Sequence, residues 1–173
     1  MNTQDNQAKP VIIDIEASGL GENSYPIEIG IALPDGGAHC YLIHPYAEWT
    51  HWESDAEKLH RLSRATLVRF GMDGAYVARQ LNKFLDGKAV YSDSLAREQA
   101  WLDTLYTRAG MTPSFKLEDL ATITSAEQSA HWDVVCEQVI NELGLKRHRA
   151  SADARIIQST WLRTFDQRRS ASL

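Results

Sequence analysis

Residues 11–20 read VIIDIEASGL, an apolar run that ends in two acids separated by one residue. The β-branched residues at 11–13 predict a buried strand, with Asp14 and Glu16 at its end. Residues two apart in a strand point to the same face, so both carboxylates face one space. A hard divalent cation, which prefers oxygen ligands, would stabilise such a pair. The stretch predicts a cation site at a strand end, and the alternative is a pair of solvated acids.

Strand and helix signals alternate along the rest of the chain. Strands are predicted at 11–15, 27–33 and 39–43, with the turn sequence PDGG at 34–37, and further strands at 89–92 and 115–117. Helical spacing predicts short helices within 59–68, a helix ending at Gly87, and helices at 95–109, about 125–143 and 150–166. This order predicts an α/β fold in which a mixed sheet is flanked by helices.

Length and composition bound the class of protein. A chain of 173 residues with 43% apolar residues suits one domain, predicted at 11–168 between a flexible tail at 1–10 and a C-terminal tail at 169–173. The net charge of −5 gives no overall attraction for a polyanion, so a nucleic-acid partner would need local cations or bound metal. Isolated cysteines, a polar N-terminus and the lack of a long apolar run predict a cytoplasmic protein without a membrane segment.

A second acid-bearing segment, HRASADAR, occupies residues 148–155. Asp153 lies one turn before Ile157 and two before Trp161, so it shares a face with apolar residues and needs a partner there. His148 can reach the same site from a loop that precedes the helix. The alternative for Asp153 is an ordinary acid in the first turn, where the helix dipole favours it.

The two segments together carry a resemblance to a known family. The chain resembles the DEDDh group of 3′→5′ exonucleases, which includes ribonuclease T, oligoribonuclease and the proofreading subunit of bacterial DNA polymerase III. The first motif of that group, DxE, matches Asp14 and Glu16, and the third, HxxxxD, matches His148 and Asp153. Two further segments are similar, IHP at 43–45 and HRLSRATL at 60–67. The resemblance covers about residues 11–165.

This resemblance implies an RNase H-like fold and a two-metal hydrolysis with Mg²⁺ or Mn²⁺. The expected substrate is a single-stranded DNA or RNA 3′ end, from which 5′-mononucleotides are released, and relatives that dimerise imply a possible homodimer. His148 would be the general base that takes a proton from the attacking water. Ser18, Gly19 and Leu20 would bind substrate, with Leu20 stacking against the terminal nucleotide as an apolar wedge.

The second motif of the group is divergent in this chain. Its pattern H-N-x-x-F-D-x-x-F-L, aligned so that its last two residues fall on Trp101 and Leu102, places Glu98 where the metal-binding Asp is expected. Glu98 shares a helical face with Leu95 and Leu102, which favours a ligand role. Asp93 is the second candidate for this ligand, and its alternative role is that of a helix N-cap. The departure leaves a second function open, a catalytically weak or inactive module that binds nucleic acid or protein.

Substrate contacts beyond these residues have two readings each. Lys146, Arg147, Arg149 and Arg155 surround the third motif and would form either a phosphate-binding rim or a solvated helix entrance. The aromatic residues Tyr25, Tyr46, Trp49 and Trp52 would either stack with bases or, in the case of the two tryptophans, pack over the sheet edge.

Overall fold

A five-stranded mixed sheet forms the centre of the molecule. The computed structural model describes residues 9–171, so residues 1–8 of the predicted tail at 1–10 and residues 172–173 of the predicted tail at 169–173 lie outside the described residues. The strands are β1 (Val11–Ala17), β2 (Pro26–Ala32), β3 (Ala38–Leu42), β4 (Ala89–Ser92) and β5 (Lys116–Asp119). They lie in the order β3-β2-β1-β4-β5, with β1, β2 and β3 antiparallel and with β4 and β5 parallel to β1. The predicted mixed sheet is confirmed.

Within residues 9–171, six helices and one 3-10 turn complete the fold. The helices are α1 (Ser54–His60), α2 (Arg64–Phe70), α3 (Gly74–Leu85), α4 (Leu95–Ala109), α5 (Ala126–Leu143) and α6 (Ala150–Ala171), and the turn is Leu120–Ile123. Side-chain caps fix several of their starts, as at α5, where Ser125 and Gln128 form a reciprocal capping box. No helix within the described residues is long and apolar enough to cross a membrane.

The two faces of the sheet pack against different helices because side chains alternate along each strand. Ile13 of β1 belongs to a core cluster with α3 and α4, whereas Ile12 packs with Ala154 and Trp161 of α6. Asp14 and Glu16 share the face of Ile12 and therefore lie on the side of α6. The packing of α6 on this face is what brings Asp153 to the two acids of β1.

The side chain of Gln158 in α6 contacts the residue that precedes β1 and the end of β2. Pro10 is buried, and its carbonyl accepts a hydrogen bond of 2.8 Å from the Gln158 side chain of α6. The same amide nitrogen lies 3.2 Å from the carbonyls of Ala32 and Leu33 at the end of β2. Gln158 thus ties α6 to the first two strands at the end of the sheet opposite the acids.

Candidate metal centre

The six titratable side chains expected at the site come together in two groups of three. Asp14, Asp93 and Glu98 form one group, and Glu16, His148 and Asp153 form the other. Within each group, one ligand atom from each residue lies within 4.8 Å of those of the other two. The two acids of β1 therefore do not serve one triad together. Each is the strand's contribution to a separate triad, and both triads lie where β1, the start of α4 and the start of α6 meet.

Burial and mutual repulsion act on the acids of β1. Burial raises the pKa of Asp14 well above its ordinary value, and the charges of Glu98, Asp153 and Glu16 raise it further. Burial also raises the pKa of Glu16 to about 7, with added repulsion from Asp153. Carboxylates with raised pKa values lack compensating positive charge. A bound cation would supply that charge.

Glu98 divides its two oxygens between the fold and the site. β4 pairs with β1 only at Val11 and Ile12, which leaves the backbone N–H of Ile15 without a strand partner on that side. The N–H of Ile15 donates to Glu98 Oε1 at 3.1 Å, while Glu98 Oε2 is buried and has no hydrogen-bond partner among the described residues. Burial raises the pKa of Glu98, and the charge of Asp93 raises it further. A buried oxygen without a partner is costly unless a ligand completes it.

Asp93 lies directly after β4, on the exposed side of its triad. The alternative that it caps α4 is wrong, because Ser94 occupies the N-cap position of that helix. Desolvation by the surrounding protein raises the pKa of Asp93 even though the side chain reaches the surface. Glu98 and Asp93, the two candidates for this ligand, thus both lie beside Asp14. Glu98 is buried, and Asp93 is exposed.

Asp153 and His148 are joined at the start of α6. The backbone N–H of His148 donates to Asp153 Oδ2 at 2.7 Å, and Arg147 Nε lies 2.8 Å from Asp153 Oδ1. Asp153 is buried, as its place on an apolar face predicts, whereas the His148 side chain is exposed. His148 has a φ of 64°, in the left-handed region that non-glycine residues seldom adopt.

The arginine side chains next to His148 make different contacts. Arg149 forms hydrogen bonds with Glu28 of β2, and its Nη2 lies 2.6 Å from Glu28 Oε1. Its guanidinium group is thereby paired with a buried carboxylate of the fold. Arg147 instead pairs with Asp153 of the candidate site, and half of its side chain is exposed.

Glu28 is a functional candidate that the sequence patterns do not single out. It is fully buried in a strand whose seven residues are all buried. Burial alone would raise its pKa, but the hydrogen bonds from Arg149 and from the Ala150 N–H leave that pKa below its ordinary value. An acid inside an otherwise apolar strand was the available signal, because such a residue needs a buried partner.

The segment 18–20 offers two different surfaces. The Ser18 hydroxyl is buried, accepts the N–H of Tyr25 at 3.1 Å and lies 3.1 Å from His51 Nδ1, so it is occupied within the fold. A Cβ at Gly19 would lie 2.3 Å from the Glu53 carboxyl carbon, so any side chain there would displace the Glu53 side chain. Leu20 is 65% exposed, as a wedge residue would be. The segment keeps Ser18 inward and presents Leu20 outward.

A cavity of about 170 Å³ lies between this segment and Glu16 of the candidate metal centre. Its lining includes Glu16, Leu20, Leu59, His60 and Trp101. The wall is mainly apolar and ends at one of the candidate metal ligands, so an apolar group bound there would lie beside the acids.

The aromatic residues serve the core rather than the surface. Tyr25 and Trp49 are buried and stacked, with ring centroids 4.8 Å apart, and the Tyr46 ring meets Trp49 edge-on at the same distance. Trp52 is half-buried and donates to Glu57 at 2.5 Å. The interpretation of the two tryptophans as packing residues fits these contacts, and the buried rings of Tyr25 and Trp49 are closed to bases.

Comparison with known proteins places the fold. No protein-family model matches the sequence, and no curated protein is significantly similar to it. The zinc-bound complex of E. coli exonuclease I with single-stranded DNA superposes with a TM-score of 0.68 at 12% identity, over 95% of this chain and 41% of that one. A complex of the same enzyme with a dA16 oligonucleotide gives a TM-score of 0.66 at 12% identity, over 93% and 43%.

The chain has the fold of E. coli exonuclease I. The product-bound structure of exonuclease I agrees, with a TM-score of 0.62 over 91% of this chain and 45% of that one. This confirms the predicted RNase H-like sheet flanked by helices. The chain spans less than half the length of these exonuclease I structures, and at 12% identity the likeness concerns the fold.

The residues present fit divalent cations. Five carboxylates and one imidazole supply mainly oxygen donors, which hard cations such as Mg²⁺ and Mn²⁺ prefer. The unpartnered buried oxygen of Glu98 supplies a donor that protein groups do not satisfy. Each triad could therefore hold a metal ion.

Proposed function

We propose that this protein is a metal-dependent 3′→5′ exonuclease that hydrolyses single-stranded nucleic-acid 3′ ends and releases 5′-mononucleotides. One observation carries the proposal. Two triads of titratable side chains meet at the end of β1 in a fold shared with exonuclease I, where the pKa values of Asp14 and Glu16 are raised and Glu98 has a buried oxygen without a partner. The neighbours of known structure include complexes with single-stranded oligonucleotides.

Five carboxylates would hold the ions, Asp14, Asp93 and Glu98 at one position and Glu16 and Asp153 at the other. When bound, two divalent ions stabilise the attacking and leaving oxygens of phosphodiester hydrolysis. The fold fixes the positions of these carboxylates. Asp14 and Glu16 belong to the central strand β1, and Asp153 accepts a hydrogen bond from the backbone of the loop before α6.

His148 is the general base in this proposal. Its ring lies in the triad with Glu16 and Asp153, and its side chain reaches solvent. A neutral imidazole there can take a proton from the attacking water and pass it to solvent.

The terminal nucleotide would bind in the cavity between Leu20 and Glu16. Leu20 would stack on the terminal base from its exposed position, and the apolar lining from Leu59 and Trp101 would receive the sugar. Arg147 would pair with a phosphate, which gives a chain of net charge −5 a local attraction for a polyanion.

The test uses one single-stranded DNA oligomer and one RNA oligomer, each labelled either at the 5′ or at the 3′ end, with Mg²⁺, Mn²⁺ or EDTA. The 5′-labelled oligomer should give a ladder of shortened products, and the 3′-labelled oligomer should release a labelled 5′-mononucleotide at once. EDTA should stop both reactions. A labelled mononucleotide released first from the 5′ end would contradict the direction. Tight binding by a folded protein that shortens neither oligomer would instead support the non-catalytic module.

A further inference from the structure

Glu28 of β2 makes an unusually complete set of contacts with the segment that carries His148. Its carboxylate accepts the Arg149 Nε–H at 3.1 Å for each oxygen, the Arg149 Nη2 at 2.6 Å and the Ala150 N–H at 2.8 Å. It also accepts the Cys40 thiol of β3 at 3.2 Å. A buried carboxylate with this many donors is fixed in place.

The position of Glu28 in the sheet explains why the contact matters. Glu28 is the direct cross-strand partner of Glu16, and Gly30, two residues later on the same face, is the partner of Asp14. A Cβ at Gly30 would lie 2.1 Å from the Ala150 carbonyl carbon, so the missing side chain lets the start of α6 rest on β2. β2 therefore supports the 148–151 segment directly beside the two metal-binding acids of β1.

Arg149 lies between the first turn of α6 and His148, so fixing Arg149 affects the residues on both sides of it. Its carbonyl accepts the N–H groups of Ala152 and Asp153 at 2.8 and 2.9 Å, which starts α6. On its other side lies His148, whose left-handed backbone is sterically unfavourable for a residue with a Cβ. Such a conformation persists only where the surroundings fix it. The contacts that fix it are the His148 N–H bond to Asp153 and the attachment of Arg149 to Glu28.

We propose that Glu28 is a positioning residue for His148. Its carboxylate holds Arg149 and Ala150 so that His148 keeps its left-handed backbone and presents the imidazole to Glu16 and Asp153. Glu28 itself belongs to neither triad. The role rests on the proposed exonuclease function, but the clamp is a property of the chain and can be measured without activity.

The first measurement is amide hydrogen exchange of His148 in the protein without metal or substrate. Glu28→Gln keeps the shape of the side chain but removes the charge that binds Arg149, so exchange of the His148 N–H should become at least about 10-fold faster. Glu142→Gln is the matched control, because it breaks the Arg163–Glu142 ion pair between α5 and α6, which involves neither triad. Unchanged exchange at His148 in Glu28→Gln would overturn the clamp.

The second measurement is a double-mutant cycle on kcat at saturating Mn²⁺ with a single-stranded DNA oligomer. Glu28→Gln should lower kcat by about 10- to 100-fold, the usual scale of a misplaced catalytic group. In a His148→Ala background the same change should cost less than about 3-fold, because the group being positioned is gone. Glu142→Gln should leave kcat unchanged.

Multiplicative losses in the cycle, or a lower melting temperature with unchanged kcat, would show that Glu28 only stabilises the fold. If Glu28→Gln does not fold, Arg149→Gln breaks the same contact from its half-exposed side and is read in the same way. A wild-type protein that cleaves nothing would end the exonuclease proposal, and the exchange measurement would still decide the clamp.

Discussion

Glu98 connects the backbone of β1 to the candidate metal site. One of its oxygens completes the hydrogen bonding of β1 at Ile15, and the other is left for the site. An aspartate at position 98 would be one methylene shorter and would have to place its two oxygens at these same positions from the same helix. The glutamate is therefore suited to this backbone, in which β4 ends before it can pair with Ile15.

We predict that Glu98→Gln weakens metal-dependent cleavage far more than Asp93→Asn. Glutamine can still accept the Ile15 N–H, so the fold is kept while the charge that a divalent ion requires is lost. Asp93 is exposed, and water can replace its oxygen. The measurement is the cleavage rate against Mn²⁺ concentration for both variants. Abolished cleavage in Asp93→Asn with intact cleavage in Glu98→Gln would make Asp93 the ligand.

A second residue-scale prediction concerns the base. His148→Ala should lower kcat by about 10²- to 10⁴-fold, the usual contribution of a positioned acid or base. Binding of Mn²⁺, measured by calorimetry, should persist because the carboxylates remain. An unchanged kcat would remove His148 from the mechanism.

The sequence could predict the acids but not what holds them. Asp14, Glu16, His148 and Asp153 stand in short patterns whose spacing is readable within a few residues. The support by Glu28 joins residues 121 positions apart, so its partner is visible only in the fold. The same holds for the Ile15–Glu98 contact, which spans 83 positions.

At the scale of elements, the contact between β2 and α6 sets the geometry of the site. Periodicity predicted most elements because apolar residues recur at strand or helix spacing. Their ends were less readable. β1 continues to Ala17 because Glu16 and Ala17 still pair with β2, and β5 is Lys116–Asp119 rather than 115–117 because backbone pairing with β4 carries its polar residues.

Gly30→Ala tests this contact. The added Cβ would meet backbone atoms of Ala150 and Ser151 at 2.1–2.3 Å, so α6 must move away from β2. We expect a loss of about 1 to 3 kcal/mol in the free energy of unfolding, the usual cost of overpacking, together with weaker Mn²⁺ binding because Asp153 moves with α6.

Urea unfolding and calorimetry measure the two effects of Gly30→Ala. Gly37→Ala is the control, since its nearest neighbour is the end of the exposed Asp35 side chain, which can move aside. Equal stability and equal Mn²⁺ affinity in Gly30→Ala and wild type would show that α6 does not depend on this approach.

At the scale of the whole molecule, the acids of the site make stability depend on pH. The pKa of Glu16 is about 7 in the folded protein against an ordinary value of 4.5, and the pKa values of Asp14 and Glu98 are also raised. Glu16 therefore binds more protons in the folded than in the unfolded state between about pH 4.5 and pH 7. By linkage, the contribution of Glu16 to stability is present at low pH and is lost as the pH rises through about 7, and the raised pKa values of Asp14 and Glu98 act in the same direction.

We predict that the melting temperature in EDTA falls between about pH 5.5 and pH 8, and that Glu16→Gln reduces this fall. Mn²⁺ should raise the melting temperature more at the higher pH, because the ion binds the deprotonated acids. An identical pH dependence in wild type and Glu16→Gln would mean that Glu16 is not the group that titrates.

The most direct test of the central claim, that these acids build a metal-dependent phosphodiesterase site, is single-turnover cleavage of a 5′-labelled single-stranded DNA oligomer. Wild type and Asp14→Asn, purified in parallel and matched in circular dichroism, are compared with Mn²⁺ and with EDTA. We predict a ladder of shortened products from wild type with Mn²⁺, none with EDTA, and a rate at least about 10²-fold lower for Asp14→Asn, as expected when a group that stabilises transition-state charge is lost. Equal cleavage by both proteins, or none by folded wild type, would contradict the claim.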